Sequence, residues 1–419
     1  MKIAIAGMTH LGVCTSVAAA QRGLEVVCFD TDQSRVDSLS KGHFDPAEPH
    51  IGDALRSQAL SLTWTDDLSH LSSCEIALIA IDTVLNPDGS NDDSEVKRLA
   101  LLADSVVPED TPLVIMSQVE PGFTRSLSTR RTAYYLMETL VFGRGLERAL
   151  HPERFTVGSP TPEAELPIPL KLYLEQSGCP VIVMSLESAE LSKLAANYVL
   201  AANLTASNAL AAIAEKIGAS WTDVEGSLRL DERIGAKAYI SAGPGIGGTN
   251  IPRDVLGIRR IAGEQGVSSY LSDAMLLESE VARSWVLERV QAVMSRSQVS
   301  TLAILGIAYK PGTMVTIGGV GLLLVEELSN VIRIVTYDPD GASLPREFLS
   351  RIEVAADEKA ALSSAEVVVL GNSHPVLVDL LHRHLLQNVE VHVIDPFRSL
   401  DVSDVPRPER IVQFGVGGR

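Results

Sequence analysis

Lys2-Ile3-Ala4-Ile5-Ala6-Gly7-Met8-Thr9-His10-Leu11-Gly12 decides the fold class of this chain. The apolar run Ile3–Ala6 reads as a buried strand, and Gly7 to Gly12 as the turn that opens a helix. A helix start of this kind presents free backbone amides, which attract a pyrophosphate. The usual spacing is G-x-G-x-x-G, and its middle position is Thr9 here, so a Cβ stands where backbone normally approaches phosphate closely. Asp30 follows the next apolar run, eighteen residues after Gly12, where an acid binds a ribose 2′-hydroxyl and disfavours a 2′-phosphate. The motif points to NAD rather than NADP, held by Gly7, Thr9, His10, Leu11, Gly12 and Asp30. A plain βαβ turn with a capping aspartate is the alternative.

Outward from this stretch, short apolar runs at Glu25–Phe29, Ile76–Ile81 and Leu113–Met116 alternate with amphipathic stretches. That alternation is the pattern of a parallel sheet with crossover helices. From about Ser185 the chain becomes rich in Ala and Leu, with neither Pro nor Gly before Gly218. With Ser188 as N-cap, such a helix would run roughly 45 Å at 1.5 Å per residue. Helices continue to about Arg296, interrupted by the glycine-rich Gly243–Gly248. Strand signals resume at Thr301–Leu305, Ile334–Tyr337, Val367–Leu370 and Val391–Ile394. The expectation is an α/β protein: two Rossmann-like parallel-sheet domains joined by a helical middle domain. The boundaries fall at residues 1–185, 186–297 and 298–419.

Composition narrows the partners. Of the 419 residues, 53 are acidic and 35 basic, a formal charge of −18, and no Lys/Arg run offsets it. Such a surface repels polyanions, which argues against nucleic acid and anionic membranes as partners. No apolar stretch approaches the roughly 20 residues needed to span a bilayer. His10 and Gly12 interrupt the apolar run after Lys2, so it reads as a strand entering a turn rather than a leader. Cys14, Cys28, Cys74 and Cys179 are widely spaced, with no Cys-x-x-Cys pair. They read as reduced packing thiols of a cytoplasmic protein, not as a disulfide frame or a metal site. His382-Arg383-His384 has no acid or cysteine cluster to support a metal, and reads as two exposed histidines.

Ser188-Ala189-Glu190-Leu191-Ser192-Lys193-Leu194-Ala195-Ala196-Asn197 resembles the S-A-E-L-x-K-x-x-x-N helix of nucleotide-sugar 6-dehydrogenases, the UDP-glucose/GDP-mannose type. Asp231-Glu232-Arg233-Ile234-Gly235 is similar to that family's D-x-R-I-G. Gly243-Pro244-Gly245-Ile246-Gly247-Gly248-Thr249-Asn250-Ile251-Pro252-Arg253-Asp254 is similar to its G-x-G-x-G-G-S-C-F-P-K-D. Lys41-Gly42, Glu48-Pro49, Thr83, Pro121-Gly122, Glu138 and Leu305-Gly306-Ile307-Ala308-Tyr309-Lys310-Pro311 fall in the same order. The resemblance implies an NAD domain, a long central helix carrying a homodimer interface, and a C-terminal domain that closes over a nucleotide sugar. It places the active site between the two α/β domains.

The resemblance also assigns roles. Lys193 stabilises the alkoxide that precedes hydride loss, and Asn197 holds water or a sugar hydroxyl; four apart, they share a helix face. Without the resemblance they would read as a solvated lysine and a packing asparagine. Asp254 relays the hydroxyl proton, with a helix cap as its alternative. Glu138 lies beside the sugar, although a structural Glu–Lys pair would read the same way. Thr83 and Gln118 join the cofactor contacts. Thr139, Leu140, Tyr239, Gly247 and Lys310 join Lys193 and Asn197 around the substrate. Arg233 reaches the neighbouring subunit's substrate, where a lone arginine would otherwise read as surface. No residue is assigned to a metal.

One position departs from the family's chemistry. The family oxidises a primary alcohol twice, and its second step needs a thiol that forms a thioester. The matching residue here is Asn250, whose amide nitrogen has no free lone pair for that task. Met314-Val315-Thr316-Ile317-Gly318-Gly319 replaces an acidic pair followed by R-E-S, Gln118 replaces a threonine, and Arg398 sits one position off a family arginine. Three readings follow. The first is a single oxidation of a secondary hydroxyl to a ketone, as for the GDP-octose of lincosamide antibiotic assembly, with Asn250 donating to the carbonyl oxygen. The second is a four-electron UDP-sugar oxidation to a uronate without a thioester. The third is a catalytically silent nucleotide-sugar binding protein.

Overall fold

The computed structural model describes residues 1–44, 48–57, 60–86, 90–387 and 390–417. The chain forms two compact units, Met1–Ala195 and Ala196–Arg419.

The first unit is built on an eight-stranded sheet. Its strands are β1 (Lys2–Ala6), β2 (Glu25–Phe29), β3 (Leu62–Thr65), β4 (Ile76–Ile79), β5 (Leu113–Ile115), β6 (Ala133–Leu136), β7 (Phe155–Ser159) and β8 (Val181–Ser185). They lie in the order β8-β7-β6-β5-β4-β1-β2-β3. All neighbours are parallel except β6 and β7, which pair antiparallel with Tyr135 opposite Gly158. Alternate residues feed two cores. Ile3, Ile5, Val26, Cys28, Ile76 and Leu78 pack on one face, while Ala4, Ala6, Val27, Phe29, Ala77 and Ile79 pack on the other. Burial on both faces explains why these strands read as unbroken apolar runs.

In the second unit, β9 (Thr301–Leu305), β10 (Arg333–Tyr337), β11 (Glu353–Val354), β12 (Val367–Leu370), β13 (His392–Asp395) and β14 (Ile411–Gln413) form an all-parallel sheet. Its order is β11-β10-β9-β12-β13-β14. Its first turn repeats that of the first unit. Gly7 and Gly306 adopt φ of +97° and +92°. Their amides donate to Phe29 and Tyr337 carbonyls at 2.9 and 2.8 Å. Met8 N–H donates to Asp30 Oδ2 at 2.7 Å, as Ile307 N–H does to Asp338 Oδ2 at 2.6 Å.

Five helices matter for the site: α1 (His10–Gln21), α2 (Leu186–Ile217), α3 (Trp221–Arg229), α4 (Asn250–Glu264) and α5 (Tyr270–Arg296). With 32 residues, α2 is about 48 Å long. Its start differs from the expected Ser188 cap, because Ser185 Oγ accepts the Ser188 N–H at 3.2 Å and caps the helix itself. Among the described residues no helix is long and apolar enough to cross a membrane.

Candidate active site

Gly7 and Gly12 are both required by the start of α1. Gly7 sits in the left-handed region, and a Cβ on Gly12 would lie 1.7 Å from the Gly7 carbonyl oxygen. Asp30, nearly fully buried, accepts from Met8 N–H and from Asp32 N–H at 2.9 Å, and pairs with Arg35 at 2.8 Å. Thr9 occupies the N-cap position without a capping side-chain bond. Its Oγ1 instead accepts the Asp82 N–H at 2.8 Å, and Asp82 Oδ2 accepts the Leu11 N–H at 3.2 Å. Thr83 Oγ1 donates to the Gln118 carbonyl at 3.2 Å, which joins the ends of β4 and β5.

The imidazole of His10 is buried, with Nε2 2.8 Å from Glu48 Oε2 and its ring 4.4 Å from that of Phe142. Glu48 also accepts from Gly143 N–H at 3.0 Å and Gly145 N–H at 2.6 Å, fastening the loop after β6 to α1. Sequence reasoning matched Glu48 without giving it this work. The same holds for Glu190, fully buried, which accepts from Gly122 N–H at 2.5 Å and Thr124 N–H at 2.9 Å and so fixes the turn beyond Gln118.

In the first unit Glu138 and Lys193 form a close, largely buried ion pair. Lys193 Nζ also reaches the Glu138 carbonyl at 3.3 Å, and Glu138 Oε2 accepts the Leu140 N–H at 2.7 Å. The neighbouring Thr139 carbonyl accepts from Arg148 Nε at 3.3 Å. The charge of Lys193 is thus held at one place by a carboxylate that is itself held by backbone.

In the second unit Asn197 Nδ2 donates to Asp254 Oδ2 at 2.5 Å, and Arg253 Nε lies 3.0 Å from Asp254 Oδ1. Asp254 is fully buried, so both contacts offset the cost of removing its charge from water. Asn250, the first residue of α4, is exposed. The glycine segment before it is pinned by Gly243 N–H to Asn208 at 2.9 Å, Ile246 N–H to Ser279 at 2.8 Å and Gly248 N–H to the Ile317 carbonyl at 2.9 Å. A Cβ on Gly247 or Gly248 would fall 2.8 or 2.5 Å from the Tyr309 ring, so both must be glycine. The divergent Met314–Gly319 segment is therefore packed against the loop that carries Asn250.

Lys310 Nζ stands 5.5 Å from the centre of the Tyr309 ring, and burial lowers its pKa. Burial raises the Tyr239 phenol, with Tyr309 adding to it. Arg233 is exposed and forks onto Asp231, with Nη2 2.7 Å from Oδ2. Arg398 is used structurally: from a left-handed φ of +54° it donates to the carbonyls of Phe414 at 3.1 Å and Ala242 at 2.8 Å. His382 and His384 are half-buried rather than exposed, and His382 pairs with Asp404 at 2.8 Å. Among the described residues no group of three His, Cys, Asp or Glu is placed to hold a metal.

Residues 1–165 match the UDP-glucose/GDP-mannose dehydrogenase family, NAD binding domain, and residues 187–278 match that family's central domain. The chain is 30% identical over 362 residues to the UDP-glucose 6-dehydrogenase of Pseudomonas aeruginosa, covering 81% of this chain and 79% of that one. The chain belongs to the UDP-glucose/GDP-mannose dehydrogenase family. The UDP-glucose 6-dehydrogenase TuaD of Bacillus subtilis is 28% identical, covering 90% of this chain and 85% of that protein. A UDP-glucose dehydrogenase structure from Pyrobaculum islandicum superposes with a TM-score of 0.84 at 25% identity, covering 100% and 98% of the two chains.

Membership makes the chain an NAD-dependent nucleotide-sugar dehydrogenase. The residues present fit that cofactor. Gly7 and Gly12 let β1, the chain after β4 and α1 meet with no Cβ between them, and Asp30 directly follows β2, the position at which this fold class binds a ribose. Thr9 and Asp82 are bonded to each other at this turn.

Proposed function

We propose that this dehydrogenase removes one hydride from a secondary hydroxyl of a nucleotide-activated sugar and releases a ketone, as in oxidation at C6 of a GDP-octose during antibiotic assembly. What carries this reading is Asn250, which Gly243–Asp254, read against the family's G-x-G-x-G-G-S-C-F-P-K-D, sets opposite the thiol. A ketone has no hydrogen on its carbonyl carbon, so a second oxidation by this route has nothing to remove and no thioester is needed. All four cysteines belong to residues 1–195, whereas Asn250 and Asp254 belong to the second unit. Cys14, Cys28 and Cys74 are buried in packing positions.

NAD, when bound, supplies the hydride acceptor, with Gly7, Thr9, His10, Leu11, Gly12, Asp30, Thr83 and Gln118 as its expected contacts. Lys193, fixed by Glu138, offers positive charge to the oxygen as its proton leaves. Asp254, oriented by Asn197 and Arg253, takes the proton directly or through one water. Asn250 donates to the carbonyl oxygen of the product. Thr139, Leu140, Tyr239, Gly247 and Lys310 bind the substrate, with Arg233 of a second copy in a cytoplasmic homodimer. Exposed Val199, Leu210, Ile213 and Ile217 on α2 supply apolar surface for such a dimer.

A four-electron oxidation to a uronate through a hydrated aldehyde is the second reading. It is favoured by the retained, largely buried Glu138, which then activates water. The deciding measurement is NADH formed per nucleotide sugar consumed. One equivalent with a ketone product supports our reading, two with an acid support the second, and none with tight binding means a silent binding protein. If Asn250→Cys alone gave uronate from UDP-glucose, the ketone reading would be lost.

A further inference from the structure

The chain leaving β4 is anchored at four successive residues. Ala80 N–H donates to the Ala6 carbonyl at 2.8 Å, Ile81 N–H to Ser117 Oγ at 3.0 Å, Asp82 N–H to Thr9 Oγ1 at 2.8 Å, and Thr83 Oγ1 to the Gln118 carbonyl at 3.2 Å. The backbone of Asp82 is thus held beside the start of α1, and its carboxylate accepts the Leu11 N–H at 3.2 Å. The first turn of α1 has no acidic residue of its own, and Asp82 brings a carboxylate to its amides.

We propose that Asp82 is a built-in competitor of the cofactor's pyrophosphate, and sets how tightly NAD and NADH are held. A carboxylate and a phosphate oxygen cannot both accept the Leu11 N–H, and two anions at one helix start repel each other. Cofactor entry displaces the Asp82 side chain while Thr9 keeps its backbone in place. The threonine that departs from the glycine pattern and the acid at residue 82 therefore act as one device. It lowers cofactor affinity and speeds NADH release. This inference rests on the family's cofactor and not on the ketone reading, and binding measured with no sugar present separates the two.

The test compares wild type, Asp82→Asn, Asp82→Ala and Asp82→Glu, with NADH by fluorescence titration and with ADP-ribose and adenosine by calorimetry. The Asn and Ala variants are expected to bind NADH and ADP-ribose about 2- to 30-fold more tightly, the range a charge at a helix terminus commands. The gain should narrow as salt is raised. Asp82→Glu, which keeps the charge, should stay close to wild type. Unchanged or weaker NADH binding by an Asn or Ala variant that melts like wild type overturns the proposal. An equal gain for adenosine, which carries no phosphate, overturns it as well, as does an equal gain in Asp82→Glu.

Discussion

Asn197 donates its amide to Asp254 at 2.5 Å, binding the last residue of the Lys193–Asn197 motif to the carboxylate that ends the glycine-rich motif. Asp254 is fully buried, so this bond both orients it and satisfies it. Asp254→Asn keeps the shape and removes the proton acceptor. Steady-state kinetics should show kcat falling about 10²–10⁴-fold. NADH binding should be unchanged, because the proposed cofactor contacts, Gly7 to Gly12, Asp30, Thr83 and Gln118, belong to the first unit. Asn197→Ala should also lower kcat, and with it thermal stability, since it removes one donor from a buried carboxylate.

The Glu138–Lys193 pair makes a second contrast. Lys193→Met removes the charge aimed at the developing alkoxide, with an expected loss of about 10²–10³-fold in kcat. Glu138→Gln leaves Lys193 in place with a weaker partner. In a one-hydride enzyme its effect on kcat should be clearly smaller than that of Lys193→Met. Equal losses in the two variants would instead give Glu138 the water-activating work of uronate formation.

Asp93 provides a pH signature of stability. Burial, with Glu120, Asp92 and Glu190 nearby, pushes its carboxyl up to about 7 from 3.8. The folded protein then binds the extra proton between those values, so stability falls as pH rises from about 4 to about 7. The penalty is absent below that window and complete above it. Asp93→Asn should match wild type near pH 4 and exceed it at pH 8. Because Asp93 keeps some contact with water, the gain is about 1–2 kcal/mol. Melting curves across pH check this directly.

Thiol labelling should show that no cysteine is poised for chemistry. Burial raises Cys14 far above the ordinary thiol range, Cys28 to about 12 and Cys74 to about 11. Thiolates are therefore scarce at neutral pH. Cys179 is only half-buried and should alkylate first. Turnover should survive that modification, and protection by NAD or by sugar nucleotide should be absent.

Gly12→Ala tests the start of α1. Its Cβ would meet the Gly7 carbonyl oxygen at 1.7 Å, which forces the turn apart. The expected cost is about 1–3 kcal/mol of stability, together with weakened NADH binding, read by thermal melting and fluorescence.

Much of this architecture is legible in the sequence, for local reasons. Glu25–Phe29, Thr301–Leu305 and Val367–Leu370 form strands at the residues their apolar runs indicate, because strands buried on both faces cannot carry polar interruptions. The glycines at residues 7, 12, 247 and 248 mark close approaches that tolerate no Cβ. Lys193 and Asn197 fall one turn apart because α2 is uninterrupted. Asn250 is read without any structure, since the absence of a thiol is a property of the residue itself.

The rest depended on contacts between distant parts of the chain. Leu62–Thr65, Ala133–Leu136, Phe155–Ser159 and Val181–Ser185 are short and mixed in character, and pairing with a neighbour rather than periodicity makes them strands. The antiparallel step between β6 and β7 has no local signal at all. Glu48 on Gly143 and Gly145, Glu190 on Gly122 and Thr124, and Asp82 on Leu11 are acids bonded to backbone amides remote in sequence. Hydrogen bonds of that kind follow from where strands and loops come to rest. The sequence by itself determined the family and the fold, and it places Asn250, not a cysteine, in the glycine-rich motif. Only the tertiary structure decided which carboxylates fasten these loops and helix starts, and that Asp82 accepts an amide of the first turn of α1, because such bonds join residues far apart in the chain.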